Sequence, residues 1–377
     1  MLQSIIVYCT LGIIFVLLCR YYSRFPHGKH NYLLWALVIY SVIFGLRYGV
    51  GADHLTYKEH YEYYSQFNKL LSDDFEIGYI FYMQALAKIG LHYSIFFGLF
   101  AFFQVFFLFK GFRKEYKVTP YVAYTFMAAC IWLQYANGIR QSLSFCILVY
   151  AIPFILEKKW LAYYSCICVA ILMHISAVML IFFYPVFVYR EEWIKNIPLQ
   201  LILVVISFIL MTVNVIMSLI DYLDVYIAMT PYASYFDLSS ERMVNKLSAE
   251  THLGIGFIVA TAIVLIQILY SNKAKKYFKN SMFTLIYNLF FIGVLWKNIF
   301  ITSQIFARIN YYLFGFSYIV GGYTLFYLWN NSKKMFGLLA FLYFLIFVGY
   351  MYRVDDSFVK YYFIWQESEF RMPNNIL

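Results

Sequence analysis

Runs of about twenty apolar residues recur from one end of this chain to the other, and they constrain its fold more than any other feature. Of 377 residues, 63% are hydrophobic and only 13% are charged, whereas a soluble domain carries about 25% charged residues. About twenty apolar residues form a helix that crosses the hydrocarbon core of a bilayer. The runs are continuous rather than alternating, which argues against a transmembrane β-barrel. We therefore predict an all-α, polytopic helical bundle that forms one integral-membrane domain over residues 1–377.

The lysine-rich breaks between these runs predict the topology. Basic residues collect on the cytoplasmic side of membrane proteins, and six clusters fit that side: 20–29, 110–117, 158–159, 190–195, 273–279 and 333–334. No basic residue precedes the first run, so we expect the N-terminus outside and no cleaved signal peptide. The net charge of +10 is explained by these clusters and does not indicate nucleic acid.

About twelve spans follow, with both termini outside: 3–19, 32–50, 92–110, 119–136, 142–157, 160–175, 176–189, 199–220, 252–270, 281–299, 304–328 and 335–352. Two outer loops are long, at about 47–91 and 221–251. Segment 76–90 is apolar but short, and we interpret it as re-entrant or lying on the outer face. Segment 160–189 is too short for two full crossings, so we expect two short helices meeting near His174.

Three arginines depart from the cytoplasmic pattern: Arg47, Arg140 and Arg308 each lie at the outer end of an apolar span. A buried arginine costs roughly 2.5–3.5 kcal/mol at the centre of a membrane helix and usually marks function. Three on one face predict a site for an anion. Alternatives remain for two of them, because Arg47 can extend to the interface and 135–142 can be a short turn between helices.

Other polar groups accompany these arginines. Thr56 and Glu59 have capping-box spacing, which predicts a helix from about Tyr57. Tyr57, Tyr61 and Tyr64 then share one helical face. His174 stands alone in an apolar run, where a histidine is more often a packed group than a catalyst. The topology places it near the outer surface with the arginines, which favours a functional role.

These segments carry a resemblance to a known family. The chain resembles the EpsG-type, or Wzy-type, polymerases of bacterial surface polysaccharides, through five short patterns in order: Gly-Leu-Arg-Tyr-x-x-Gly-x-Asp-x-x-x-Tyr at 45–57, Glu-x-Gly-Tyr at 76–79, Ile-Arg-Gln at 139–141, Met-His-Ile-Ser-Ala at 173–177 and Arg-Ile-x-Tyr-Tyr at 308–312. The resemblance extends from about 40 to 315. Ala52 stands where the family has threonine, which leaves Asp53 in place.

The resemblance implies a GT-C-like glycosyltransferase in the bacterial inner membrane with its active site facing the periplasm. It would move a growing glycan from an undecaprenyl pyrophosphate donor onto a lipid-linked repeat unit. Arginine suits phosphate oxygens, so Arg47, Arg140 and Arg308 are assigned to the pyrophosphate. His174 and Asp53 are the candidates for the base, with His174 favoured. The predicted glycan-binding residues are Tyr57, Gln141 and Tyr61.

No D-x-D pair occurs in the predicted outer segments, so we expect a metal-independent enzyme without a cofactor. The expected partners are undecaprenyl pyrophosphate-linked oligosaccharides, with a chain-length regulator and a flippase of the same pathway. Two alternatives are a lipid-linked oligosaccharide flippase or transporter and an O-antigen ligase. A transporter is expected to show internal repeats, and none is visible in this sequence.

Overall fold

Helices form nearly all of the secondary structure. The computed structural model describes residues 1–72, 75–189, 192–212, 254–300, 304–354 and 359–370. The predicted outer loop at 221–251 lies outside these residues. Within them the chain forms two compact units: one of Met1–Arg190, Asn280–Met282 and Gly321–Leu377, the other of Glu191–Lys279 and Phe283–Val320.

The α-helices of the described residues, in chain order, are α1 Leu2–Arg24, α2 Tyr32–Gly45, α3 His54–Phe67, α4 Ile77–Lys88, α5 Tyr93–Gly111, α6 Thr119–Ala128, α7 Ile131–Asn137, α8 Ile139–Leu156, α9 Trp160–Met173, α10 Phe183–Phe187, α11 Ile197–Thr212, α12 Ile255–Tyr277, α13 Phe283–Ile299, α14 Gln304–Phe314, α15 Ser317–Asn331 and α16 Lys333–Tyr352. Short 3-10 segments lie at Tyr116–Val118, Ile175–Phe182 and Ile364–Glu369. The two strands are β1 Arg47–Tyr48 and β2 Tyr362–Phe363.

Five of these helices, α1, α5, α8, α12 and α16, are long and apolar enough to cross a membrane. Shorter apolar segments lie at Tyr32–Gly45, Trp160–Met173, Ile175–Phe187, Ile197–Met211 and Phe283–Ile299. The prediction of a helical, multi-pass membrane protein is therefore supported. The number of twelve spans and the GT-C-like arrangement stay predictions.

Two predicted spans are broken in the structure. The span at 119–136 is wrong as one helix, because Cys130 adopts a left-handed conformation with φ 52° and separates α6 from α7. The span at 304–328 is likewise divided, between Phe314 and Ser317. The apolar pattern continues through both breaks, so hydropathy alone did not reveal them.

Local sequence explains where several helices begin and end. Asn31 caps α2 by accepting a hydrogen bond from the Leu34 amide at 3.1 Å, and Pro120 lies in the first turn of α6, where its missing N–H costs nothing. The predicted start of α3 at Tyr57 is wrong: the helix begins at His54 with Asp53 at its N-cap. The Gly51 carbonyl accepts from the His54 amide at 3.2 Å, so the glycine turn leads directly into the helix.

In the first unit, α5 and α8 pack against each other, with α2 against α5 and α9 against α8. Gln104 of α5 is buried and donates to the carbonyls of Tyr135 and Ile139, at 3.0 and 3.1 Å. These two bonds hold the α7–α8 junction against α5. The first turn of α8, which contains Arg140, is thereby fixed on the packed core.

The C-terminal segment returns to the second helix. β2 pairs antiparallel with β1, with Phe363 opposite Arg47 and Tyr362 opposite Tyr48. Tyr361 is buried and donates to the Ile43 carbonyl at 2.7 Å. Residues 359–363 therefore pack against the first unit, with Val359 and Tyr361 buried.

In the second unit, α11 and α14 each pack against α13. Buried polar groups join these apolar helices: Asn298 donates to the Ser207 hydroxyl at 2.9 Å, and Trp296 donates to the Phe306 carbonyl at 3.0 Å. Such interhelical bonds satisfy polar groups that lipid cannot.

Candidate functional site

The centre of the candidate site is a carboxylate shared by an arginine and a histidine. One oxygen of Glu76 accepts from the Arg140 guanidinium. The other lies 2.7 Å from Nδ1 of His174 and 3.0 Å from the Ile175 amide nitrogen. The three side chains are mostly buried, with 15 to 17% exposed. The structure thus joins two of the predicted site residues through a third that we had not assigned.

Gly78 explains how Glu76 reaches this position. A Cβ on Gly78 would lie 2.6 Å from the Leu172 carbonyl oxygen, closer than real side-chain carbons approach. Only glycine therefore lets the start of α4 contact the end of α9. His174 follows directly, where α9 ends and the backbone becomes extended. The glycine of the Glu-x-Gly pattern thus allows the close packing that brings the Glu76 carboxylate to His174.

Aromatic rings surround the Arg140 guanidinium. Its carbon lies 4.5 Å from the ring centre of Phe75, 5.5 Å from that of Tyr79 and 5.8 Å from that of Tyr57. Its Nε donates to the Tyr57 hydroxyl at 3.4 Å. Rings at these distances attract a cation through their negative faces. The side chain is held by three rings and a carboxylate while it remains partly exposed.

The Glu76 carboxyl stays ionised in this setting. Burial raises its pKa, but the His174 hydrogen bond, the Arg140 charge and the Ile175 N–H outweigh burial and lower the pKa from 4.5 to about 2. A carboxylate accepting from a histidine favours the tautomer with the proton on that nitrogen. With Nδ1 protonated, Nε2 is left as an acceptor, which is the arrangement of a histidine base oriented by an acid.

Asp53 approaches the same cluster from the start of α3. Burial raises the pKa of the Tyr57 phenol, Arg140 lowers it, and the charges of Asp53 and Glu76 raise it further, so all three charges act on one hydroxyl. The Asp53 amide donates to the Asn137 side chain at 3.0 Å. Gly51, with φ 91°, lies where a Cβ would be 3.0 Å from the Ala136 oxygen. This close contact joins the motif at 45–57 to the segment at 135–142.

Arg47 has a different environment. It is only 1% exposed, and its guanidinium donates to the carbonyls of Phe44 at 2.5 Å, Ala136 at 3.0 Å and Val50 at 3.4 Å. Its donors therefore hold the backbone of two motifs together. Binding of pyrophosphate by Arg47 stays a prediction.

The remaining predicted residues lie in different places. Arg308 is an exposed residue of α14 in the second unit. Gln141 is half-buried in the first turn of α8, next to Arg140. Tyr61 is buried, and its hydroxyl donates to the Leu91 carbonyl at 2.7 Å. Tyr57 is buried too, so contact of either tyrosine with a glycan stays a prediction.

Glu76 is the residue that sequence reasoning missed. Its motif was visible at 76–79, but the apolar residues after it suggested a re-entrant or surface segment without chemistry. In the structure α4 is a 12-residue helix that packs against α3 and α9. An acidic residue just before an apolar helix, followed by glycine, was the available signal.

The cluster lies at one end of α8, and lysines lie at the other. Arg140 is in the first turn, whereas Glu157 follows the last turn and binds Lys114 at 2.5 Å and Lys159 at 2.7 Å. Eighteen helical residues span about 27 Å, roughly the thickness of the hydrocarbon core. The two ends therefore have the separation expected of opposite membrane faces.

The chain therefore belongs to the class of helical membrane proteins. Its candidate site contains a histidine hydrogen-bonded to a carboxylate and an arginine packed among aromatic rings. Among the described residues, no group of three or more histidine, cysteine or acidic side chains is placed to hold a metal ion. The model of the EpsG family matches residues 30–363, so the chain belongs to the EpsG family, a polysaccharide polymerase-type family. No curated protein and no solved structure gives a significant match.

Proposed function

We propose that this protein polymerises a surface polysaccharide by transferring a growing glycan from an undecaprenyl pyrophosphate donor to a lipid-linked repeat unit. It acts in the bacterial inner membrane, with the site facing the periplasm. Membership of the EpsG family supports a polymerase-like role. The observation that carries the chemistry is the contact of His174 with Glu76 at 2.7 Å beside Arg140.

In the proposed reaction, a hydroxyl of the acceptor sugar attacks the anomeric carbon of the donor glycan. The bond between that carbon and the pyrophosphate oxygen breaks, and the pyrophosphate leaves with the electron pair. Nε2 of His174 takes the hydroxyl proton, since Glu76 holds the other ring nitrogen protonated. The products are the elongated lipid-linked glycan and undecaprenyl pyrophosphate.

Arg140 is the proposed ligand of the leaving pyrophosphate in the first unit. A preorganised cation in a poorly solvated site stabilises the charge that develops on the leaving group. Phe75 and Tyr79 hold the guanidinium in place, so little reorganisation is needed. Arg308 is retained as a pyrophosphate ligand from its sequence motif, and Arg47 is retained with the additional task of joining the two motifs.

Asp53 is the second candidate for the base. It shares the neighbourhood of Tyr57 with Arg140, and a carboxylate near an arginine is a good acceptor for a sugar hydroxyl but a weak base. We therefore assign Asp53 to orient the acceptor. Gln141, beside Arg140 in sequence, is the proposed amide contact to the glycan.

The decisive experiment uses purified protein with a lipid-linked repeat unit as substrate. His174→Ala is expected to bind the donor and to lose turnover, whereas Asp53→Asn is expected to weaken acceptor use and retain slow turnover. Normal turnover of His174→Ala together with an inactive Asp53→Asn would exchange the two roles. Normal turnover of both variants would place the chemistry elsewhere.

A deletion strain separates polymerase from the alternatives. Loss of the polysaccharide ladder with retention of a core carrying one repeat unit indicates a polymerase. Complete loss of repeat units from the core indicates a flippase or a ligase and would overturn the proposal.

A further inference from the structure

An open cavity of about 660 Å³ lies in the first unit. It is lined by the end of α1, the start of α6, the end of α15 and the start of α16. Its apolar wall includes Tyr121, Tyr124, Phe326, Trp329 and Phe336. Its polar residues are Arg20, Ser23, Arg24 and Lys117, and none of the described residues that line it is acidic. A cavity of this size suits a ligand of several hundred daltons.

The three cations lie together because of helix geometry. Arg20 and Arg24 are one helical turn apart near the end of α1, on the same face as Val16, since residues four apart share a face. Lys117 lies in the 3-10 turn just before α6, which packs against α1. All three side chains belong to exposed residues, and among the described residues none of them forms a salt bridge.

The apolar wall is a continuous set of rings. Tyr121 contacts Phe326 with ring centres 5.3 Å apart, and Trp329 contacts Phe336 at 4.9 Å. Tyr124 donates to the Ala340 carbonyl at 2.6 Å, so its hydroxyl is satisfied and its ring faces the cavity. The cavity therefore has an apolar side of packed rings and a cationic side of exposed residues.

We propose that this cavity binds one anionic phospholipid of the leaflet next to the lysine-rich ends of the helices. The acyl chains would lie along the ring wall, and the phosphate would contact Arg20, Arg24 and Lys117. Charge complementarity carries the assignment, because cationic pockets between membrane helices on the cytoplasmic side bind anionic lipid head groups. A zwitterionic lipid has the acyl chains but no net negative charge, and a soluble phosphate has the charge but no acyl chains.

The site is separate from the proposed catalytic cluster. Lys117 follows the end of α5, near Lys114, which binds Glu157 beyond the last turn of α8. Arg140 lies at the opposite end of α8. The inference therefore does not depend on the proposed function, and a binding measurement tests it without an activity assay.

The test is a titration of the full-length protein in a neutral detergent with dioleoyl phosphatidylglycerol, read by native mass spectrometry and by the shift in melting temperature. Dioleoyl phosphatidylcholine is the charge control, and glycerol 3-phosphate is the head group without chains. We expect saturable binding of one phosphatidylglycerol and at least about tenfold weaker binding of both controls.

Two triple variants make the test specific. Arg20→Gln, Arg24→Gln and Lys117→Gln together should weaken phosphatidylglycerol binding at least about tenfold. The matched variant, Lys29→Gln, Lys158→Gln and Lys334→Gln, removes the same charge from residues that do not line the cavity and should leave binding unchanged.

Ala340→Phe, which fills the apolar side, should weaken phosphatidylglycerol binding while the melting temperature without lipid stays within a few degrees. Equal binding of the two lipids, equal effects of the two triple variants, or glycerol 3-phosphate binding as tight as the lipid would each overturn the proposal.

Discussion

Glu76 and His174 are 98 residues apart in the chain, yet their side chains meet at 2.7 Å. The contact depends on the end of α9, where the backbone leaves the helix at His174, and on Gly78, which lets α4 approach Leu172. A histidine in a continuous helix would not present its ring to α4 in this way. The break in the helix is therefore part of the site.

Glu76→Gln tests this contact directly. The amide is nearly the same size but has no charge, so it neither pairs with Arg140 nor favours the Nδ1-protonated form of His174. We expect turnover to fall at least about a hundredfold, in the range typical of acid–base partners, with donor binding changed less. Glu59→Gln, which changes an exposed residue of the same predicted outer segment, is the matched control. Wild-type turnover of Glu76→Gln would remove Glu76 from the mechanism.

The ionisation of Glu76 should also make the stability of the folded protein depend on pH in the acid range. Its folded pKa is about 2, below the ordinary 4.5, so its contribution is complete above pH 4.5 and is lost as the pH falls towards 2. The shift corresponds to roughly 3 kcal/mol at neutral pH. Melting temperatures between pH 7 and 3 should therefore fall more steeply for wild type than for Glu76→Gln. Parallel curves would show that Glu76 does not contribute in this window.

His54 should control a second, higher pH window. It is completely buried against Phe97, and neither ring nitrogen has a hydrogen-bond partner among the described residues. Burial and the charges of Arg47 and Lys58 lower its pKa well below 6.5. The unfolded chain takes up this proton first, so stability is complete above pH 6.5 and falls below it.

The measurement is the melting temperature at pH 7.5 and 5.5. His54→Leu removes the titrating ring with little change in volume, so the difference between the two pH values should shrink relative to wild type. His27→Asn, an exposed histidine, should retain the wild-type difference. An unchanged difference in His54→Leu would mean that another group titrates in this window.

Substitution by lysine should affect mainly stability at Arg47 and mainly activity at Arg140. Arg47→Lys leaves carbonyls without donors in a buried site, and we expect a loss of roughly 2–4 kcal/mol of stability. Arg140→Lys keeps a charge near Glu76 but loses the planar fork, so turnover and donor affinity should fall by about tenfold or more while stability changes less. Measurements of unfolding and of donor binding on both variants check this division. Identical effects of the two substitutions would contradict it.

Metal independence is tested by chelation. The arginine-rich motifs and the lack of a D-x-D pair in the predicted outer segments motivate the expectation. Purified protein should elongate lipid-linked repeat units at an unchanged rate in excess EDTA. Activity that disappears with EDTA and returns with magnesium would establish a metal requirement.

Hydropathy predicted the helices well because burial in lipid requires long apolar segments with satisfied backbones. The short segments meeting near His174 were confirmed: α9 ends at Met173, and a 3-10 segment begins at Ile175. The break at Cys130 escaped prediction, because a left-handed residue inside an apolar run leaves no pattern. Arg140 was predicted as a site residue because it departs from the cytoplasmic pattern of basic residues. Its partner Glu76 could be found only from the three-dimensional packing at Gly78.

The pairing of β2 with β1 has a consequence for how the protein is made. Phe363, the partner of Arg47 in the ladder, is synthesised roughly 300 residues after it. At ordinary rates of translation this takes about 15 to 60 s. During that interval the backbone of Arg47 and Tyr48 has no strand beside it. This part of the first unit is therefore completed only after Phe363 has been synthesised, so a nascent chain that has not reached Phe363 lacks the ladder.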